Sequence, residues 1–213
     1  NQSQIIFHNA DLYPPTYQQV RAISYQQTDK ALTIKQRLVP RHQRYTAEHS
    51  ALSLVAKGNV GKKIREYVID PVLYQGQRVT WRNYEASYDI HELEPKSRTK
   101  QTYVLQEYFV PTHKLNHFVP VMAEILNRHQ VNVLNVSIRF AHQDNESLLS
   151  WSKTDVFALV LYYQQETSAA EKTAVGIWTR ELIEAALSEG GSYYLPYQTH
   201  ATMSQFQRAY PQA

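Results

Sequence analysis

Residues 102–141 read TYVLQEYFVPTHKLNHFVPVMAEILNRHQVNVLNVSIRFA, and their pattern decides the fold. The run from Thr102 to Val110 is rich in β-branched and aromatic residues and stops at Pro111, which reads as a strand. Leu115, Phe118, Val119, Met122, Ile125 and Leu126 then recur at helical spacing. Pro120 falls inside that stripe. An interior proline loses a backbone donor and clashes with the preceding turn, so the helix is expected to start late or bend there. Val131, Val133, Leu134, Val136 and Ile138 return the chain to a strand.

Working towards the C-terminus, 144–150 is a turn or short helix and 156–163 a second buried strand. Ser168 and Glu171 have capping-box spacing. They precede a helix with Ala170, Ala174, Ile177, Trp178, Leu182, Ile183 and Ala186 on one face, stopped by Gly190 and Gly191. The order is strand, helix, strand, strand, helix, then an extended tyrosine-rich segment. That is an α+β fold with a ferredoxin-like split β-α-β-β-α-β core, which predicts a mainly antiparallel sheet with helices on one face. The opposite face then needs water, another domain or a ligand to cover it.

Working towards the N-terminus the signals are weaker. Ile5 to Phe7 is short and β-prone and ends before Pro14 and Pro15. A strand is expected from Val20 to Thr28, and a basic loop over 31–45. Two helices are expected within 49–74, split at Gly58 and Asn59. A further strand is expected over 79–87, with Trp81, Arg82, Asn83 and Tyr84 polar-aromatic and Trp81 packed in the core rather than stacked on a planar or sugar-like ligand. An acidic, turn-rich segment spans 89–100. The 213 residues are read as a single domain.

Composition excludes several classes. The six glycines cannot make a G-x-G-x-x-G or P-loop phosphate cradle. The net charge of +3 comes from scattered Lys and Arg rather than a stripe, which argues against a nucleic-acid partner. The chain has no cysteine, so it can hold neither a disulfide nor a thiolate metal site, and a reducing, cytoplasmic compartment is the expectation, with peripheral membrane attachment left open. No apolar run is long enough for a transmembrane segment. His113 and His117 are four apart but lack a third ligand, so no metal is expected. Glu85, Asp89, Glu92 and Glu94 read as a solvated acidic loop.

Tyrosine is the oddity, with 16 against 6 Phe. Tyr193, Tyr194, Tyr197, His200 and Tyr210 crowd the segment 190–213. Such residues suit a ligand-facing wall, apolar in body and hydrogen-bonding at the tip, but by local sequence alone they better suit a tail held against the surface. Arg139 lies on an otherwise apolar or small-residue strand. A charge there needs a partner or a ligand. Glu107, on what is expected to be the neighbouring strand, is the candidate partner, and a structural Arg139–Glu107 pair stands beside a substrate role.

Four runs together, VLQEYFVPTHKLNHFVPVMAEIL (104–126), VNVLNVSIRFA (131–141), DVFALVLYYQQ (155–165) and GIWTRELIEAALSEGGSYYLPY (176–197), resemble the C-terminal half of vanillyl-alcohol-oxidase-type FAD-linked oxidases. The ending YYLPYQTHATMSQFQRAYP (193–211) is most similar to a bacterial branch of FAD-binding oxidoreductases. The resemblance implies a cap that lays its sheet over the flavin of an N-terminal FAD-binding domain absent from this chain. This chain alone is then expected to be inactive, and its exposed sheet face could form a homodimer. Alditol-oxidising members carry an acidic residue and an arginine two apart on one strand. Ser137 and Arg139 hold those places, so only the arginine is kept. Val160 and Tyr162 stand at a histidine and a threonine, and Tyr197 at a lysine. This counts against polyol oxidation and leaves an alcohol or sugar-like small-molecule substrate. The resemblance implies Arg139, Tyr162 and Tyr197 as catalytic, Tyr194 and His200 towards the cofactor, and Glu107 and Ser137 towards substrate. The alternative is a stand-alone ferredoxin-like binding domain without redox activity.

Overall fold

The computed structural model describes residues 5–40, 46–88 and 97–213. Residues 41–45 of the expected basic loop, and Asp89, Glu92 and Glu94 of the acidic segment, lie outside the described residues. Where the sequence reads as one domain, the chain divides into two compact units. One comprises Asn1–Asn9 and Ala22–Glu94, the other Ala10–Arg21 and Pro95–Ala213.

The second unit is built on strands β3 (Gln101–Pro111), β4 (Asn132–Ala141), β5 (Val156–Glu166) and β6 (Ser192–Tyr193). With β1 (Ile5–Leu12) and β2 (Val20–Gln26) they form one sheet in the order β2-β1-β4-β5-β3-β6. The pairs β1–β4, β4–β5, β3–β5 and β3–β6 are antiparallel. The arrangement β4-β5-β3-β6, with helices α5 (Leu115–Arg128) and α6 (Ala169–Ser188) as connections, is the split β-α-β-β-α-β core.

Both helices press on one face of this sheet. Phe118, Met122 and Leu126 of α5 and Trp178, Leu182 and Ile183 of α6 join Tyr108, Val110, Val136, Leu159, Leu161 and Tyr163 in one buried cluster. Burying each such large side chain stabilises the unit by about 1.5–3 kcal/mol. A hydrogen-bonded group sits inside this apolar layer. The Gln106 amide donates to the Tyr163 hydroxyl (3.0 Å) and to Thr179 Oγ1 (2.9 Å), and accepts from the Tyr108 hydroxyl. Burial pushes the pKa values of both tyrosines well up, so both hydroxyls stay neutral, Tyr108 donating and Tyr163 accepting.

Several expectations are corrected. Of the two outcomes expected at Pro120, the late start is not met: helix α5 begins at Leu115, after a 3-10 turn at Thr112–Lys114, and contains Pro120. Pro120 and Asn116, whose carbonyl loses its partner, are both exposed residues, so the missing hydrogen bond faces water. The buried face of α6 includes Val175 and Thr179, while Ala170, Ala174 and Ile177 are exposed. The tail is not wholly extended: helix α7 (Met203–Ala209) starts at a reciprocal capping box between Thr202 and Gln205. Gly191 passes so close to β3 that a Cβ there would stand 2.1 Å from the Phe109 carbonyl oxygen.

In the first unit, helices α1 (Thr46–Ala56) and α2 (Asn59–Ile64) are separated at Gly58, as expected. A π turn (Arg65–Ile69) carries the second helix on into α3 (Asp70–Leu73). The strand expected over 79–87 is instead helix α4 (Arg82–Ala86). Only Val79 and Thr80 of that segment are β-branched, and Glu85 and Ala86 are good helix formers. Tyr84 is its buried anchor; Trp81 is partly exposed, with the Arg37 guanidinium 4.7 Å over its ring. Among the described residues no helix is long and apolar enough to cross a membrane.

Candidate functional site

Strand alternation fixes what the second face of the sheet carries. On β3, Gln106 and Tyr108 point into the helical layer, so Leu105, Glu107 and Phe109 point the other way. Register then aligns three rows. Glu107 lies opposite Val160, Val160 opposite Ser137, and Ser137 opposite Asp11. Phe109, Ala158 and Arg139 make the next row, and Leu105, Tyr162 and Asn135 the one on the other side. The centre, Ala158 and Val160, is apolar and buried. Polar side chains stand on both flanks.

Four residues named from the sequence, Glu107, Ser137, Arg139 and Tyr162, therefore share the helix-free face. Tyr197 joins them from the tail. Its phenol pKa is raised by burial, then by the Glu107 carboxylate and Tyr194, with Arg139 opposing. Tyr194 stacks edge-on against Tyr197 at 4.9 Å and against Phe109 at 6.3 Å, and its backbone N–H donates to the Glu107 carbonyl (3.0 Å). Tyr103 meets Tyr162 edge-on at 5.5 Å.

His200 is not brought to this face. It packs against α6, close to Gly176 and Arg180, and its Nε2 shares a 2.6 Å hydrogen bond with Gln198. Burial and the Arg180 guanidinium push its pKa down, which keeps it neutral. The expected cross-strand Arg139–Glu107 pair is also corrected. The split topology inserts β5 between β3 and β4, so the two backbones are about 10 Å apart, two strand widths. Burial raises the Glu107 carboxyl pKa, and Arg139 offsets only part of that rise. Arg139 itself is exposed.

Two site residues escaped the sequence reading. Asn135 donates from Nδ2 to Asp11 Oδ1 (2.9 Å) and to Ser137 Oγ (2.9 Å), and Ser137 Oγ donates to Asp11 Oδ1 (3.0 Å). The Asn135 Oδ1 is buried with no hydrogen-bond partner among the described residues, an acceptor left over on this face. The signal was present: Asn135, Ser137 and Arg139 alternate along β4 and are its polar residues beyond Asn132.

A separate cavity of about 260 Å³ opens on the helical layer, between the α5–β4 turn and the start of α6. Its rim amides satisfy one another, Asn132 donating to Gln164 (2.8 Å) and Gln164 to Gln101 (2.9 Å). Among the described residues no group of acidic or histidine side chains is arranged to hold a metal.

The fold and the site together define an α+β domain whose antiparallel sheet keeps helices on one face and polar groups on the other. Comparison with models of known protein families finds no match. Comparison with curated proteins finds none either.

Proposed function

We propose that this chain is the substrate-facing cap of a flavin-dependent oxidoreductase acting on an alcohol or sugar-like molecule, with FAD carried mainly by a separate domain. One observation carries the reading: Glu107, Ser137, Arg139, Tyr162 and Tyr197 converge on the helix-free face around a small apolar floor. The edge of this face has features a ring-bearing ligand could use: Tyr194 and Tyr197 are half-buried and packed edge-on at 4.9 Å, and Asn135 Oδ1 is an acceptor without a donor among the described residues. Tyr194 would touch the cofactor from this chain; His200 is too far round the sheet to do so.

The chemistry divides simply. FAD, when bound, supplies the acceptor for the hydride that leaves the substrate carbon. Arg139 holds the substrate oxygen by charge-assisted hydrogen bonds from its guanidinium. Glu107, whose carboxyl pKa is raised, takes the hydroxyl proton at its carboxylate oxygen. Tyr162 and Tyr197 orient the remaining hydroxyls through their phenol groups.

The test uses the complete open reading frame that encodes this chain. The purified protein should be yellow and should bleach when an alcohol substrate is added. Arg139→Ala should keep its flavin and bleach about 10- to 100-fold more slowly, the loss of one charged hydrogen bond. Bleaching at the normal rate removes Arg139 from the reacting centre. A colourless full-length protein overturns the flavin reading and leaves the stand-alone binding domain.

A further inference from the structure

In the first unit, the continuous helical run from Asn59 to Leu73 is inverted relative to an ordinary surface helix. Three of its charged residues, Lys62, Glu66 and Asp70, face inward, at 5%, 7% and 5% exposure. Its apolar residues face outward: Val60 is 75% exposed, Tyr67 62%, Val72 64% and Leu73 65%. The π turn at Arg65–Ile69 contributes to this. Bonding five residues apart widens the turn, so positions four apart stay nearly in line. One row is then Lys62, Glu66 and Asp70. Another is Val60, Ile64, Val68 and Val72, flanked by Lys63 and Tyr67.

Charge decides what such a face meets. Across residues 57–78 the only carboxylates are Glu66 and Asp70, and both are buried. Lys57 and Lys63 are exposed; Arg78, beyond the run, donates to the Tyr88 hydroxyl and lies near Glu85. The run's own outward residues are thus apolar and cationic, with no exposed carboxylate among them. A face for another soluble domain would normally mix both signs around its apolar residues. Apolar side chains rimmed by lysine, with a tyrosine among them, suit the boundary between anionic headgroups and acyl chains.

We infer that the helical run Asn59–Leu73 is a membrane-surface element that lies on anionic lipid and buries Val60, Tyr67, Val68 and Val72 in the headgroup boundary. No helix among the described residues spans a bilayer, so the contact is peripheral. The inference does not depend on the redox role proposed above.

Co-sedimentation of this chain with vesicles tests it. Vesicles of phosphatidylcholine with phosphatidylglycerol should pellet the protein, and pure phosphatidylcholine should not. Val68→Ser/Val72→Ser should weaken partitioning more than tenfold. Lys63→Gln should weaken it about fivefold, the worth of one cation near an anionic surface. These side chains are exposed, so circular dichroism should be unchanged, and Val20→Ser, exposed elsewhere, should bind as the parent does. No pelleting, or equal pelleting with both lipids, overturns the inference. Self-association in the ultracentrifuge that Val68→Ser/Val72→Ser abolishes, without vesicle binding, assigns the face to a second copy and overturns it too.

Discussion

Gln106 holds three hydroxyls in a dry layer, and its replacement by leucine tests whether that group pins β3 to α6. Leucine matches glutamine closely in shape, so the change removes hydrogen bonds without opening a cavity. The Tyr108 hydroxyl loses its acceptor and the Tyr163 hydroxyl loses a donor; both side chains are essentially fully buried. Thr179 can turn its hydroxyl to the carbonyl one helical turn back, so it is spared. Two orphaned polar groups at about 1–3 kcal/mol each give a loss of about 2–6 kcal/mol. The assay is urea unfolding followed by circular dichroism, with the parent and Gln106→Leu compared at equal slope. Gln106→Leu/Tyr108→Phe/Tyr163→Phe makes the argument sharp. It deletes the orphaned hydroxyls as well, so stability should return to within about 1 kcal/mol of the parent. A single variant that loses less than about 1 kcal/mol, or a triple variant no better than the single, refutes the reasoning.

Glu107 has its folded pKa raised, mainly by burial. The folded state therefore holds the proton where the unfolded chain has released it, and stability falls as pH rises from the unfolded carboxylate value through the raised one. Glu107→Gln should flatten that slope in pH-dependent urea titrations; an unchanged slope sinks the assignment. Gly191→Ala should destabilise by about 1–3 kcal/mol in thermal melts, because the added Cβ meets the Phe109 carbonyl oxygen at 2.1 Å and the Ala186 carbonyl oxygen at 2.9 Å. Thr202→Ala should cost about 1 kcal/mol by removing the cap of α7, seen as faster hydrogen exchange at Gln205, whose amide the Thr202 hydroxyl accepts at 3.2 Å.

The central elements were legible because their periodicities are strong and local. Strands β3, β4 and β5 and helices α5 and α6 lie within a few residues of where alternation and helical spacing put them. What failed needed partners distant in sequence. Thr179 reads as a surface residue of α6 until Gln106, 73 positions away, is seen to donate to it. The α6 stripe was accordingly drawn through Ala174 and Ile177 rather than Val175 and Thr179. Asn135 was hidden differently. A bulge between Val133 and Asn135 breaks the alternation, so Val133 enters the core while Asn135 does not. Helix α7 was the avoidable miss, since Thr202 and Gln205 have capping-box spacing in plain sequence.

The topology also bears on whether Arg139 and Glu107 are only a structural pair. A direct pair would drive the glutamate pKa below its ordinary range, because a close guanidinium favours the carboxylate. The shift runs the other way: burial wins and Arg139 offsets part of it. β5 holds the two backbones two strand widths apart through hydrogen-bonded ladders on both sides. Moving either strand would break the Asp11–Asn135–Ser137 contacts on one flank or the Gln106 group on the other. The two residues thus stand on either side of β5, and under the proposed function their charges would act on a molecule bound between them. A polar hydroxyl-bearing substrate would complete both groups at once, which an internal ion pair at this spacing does not.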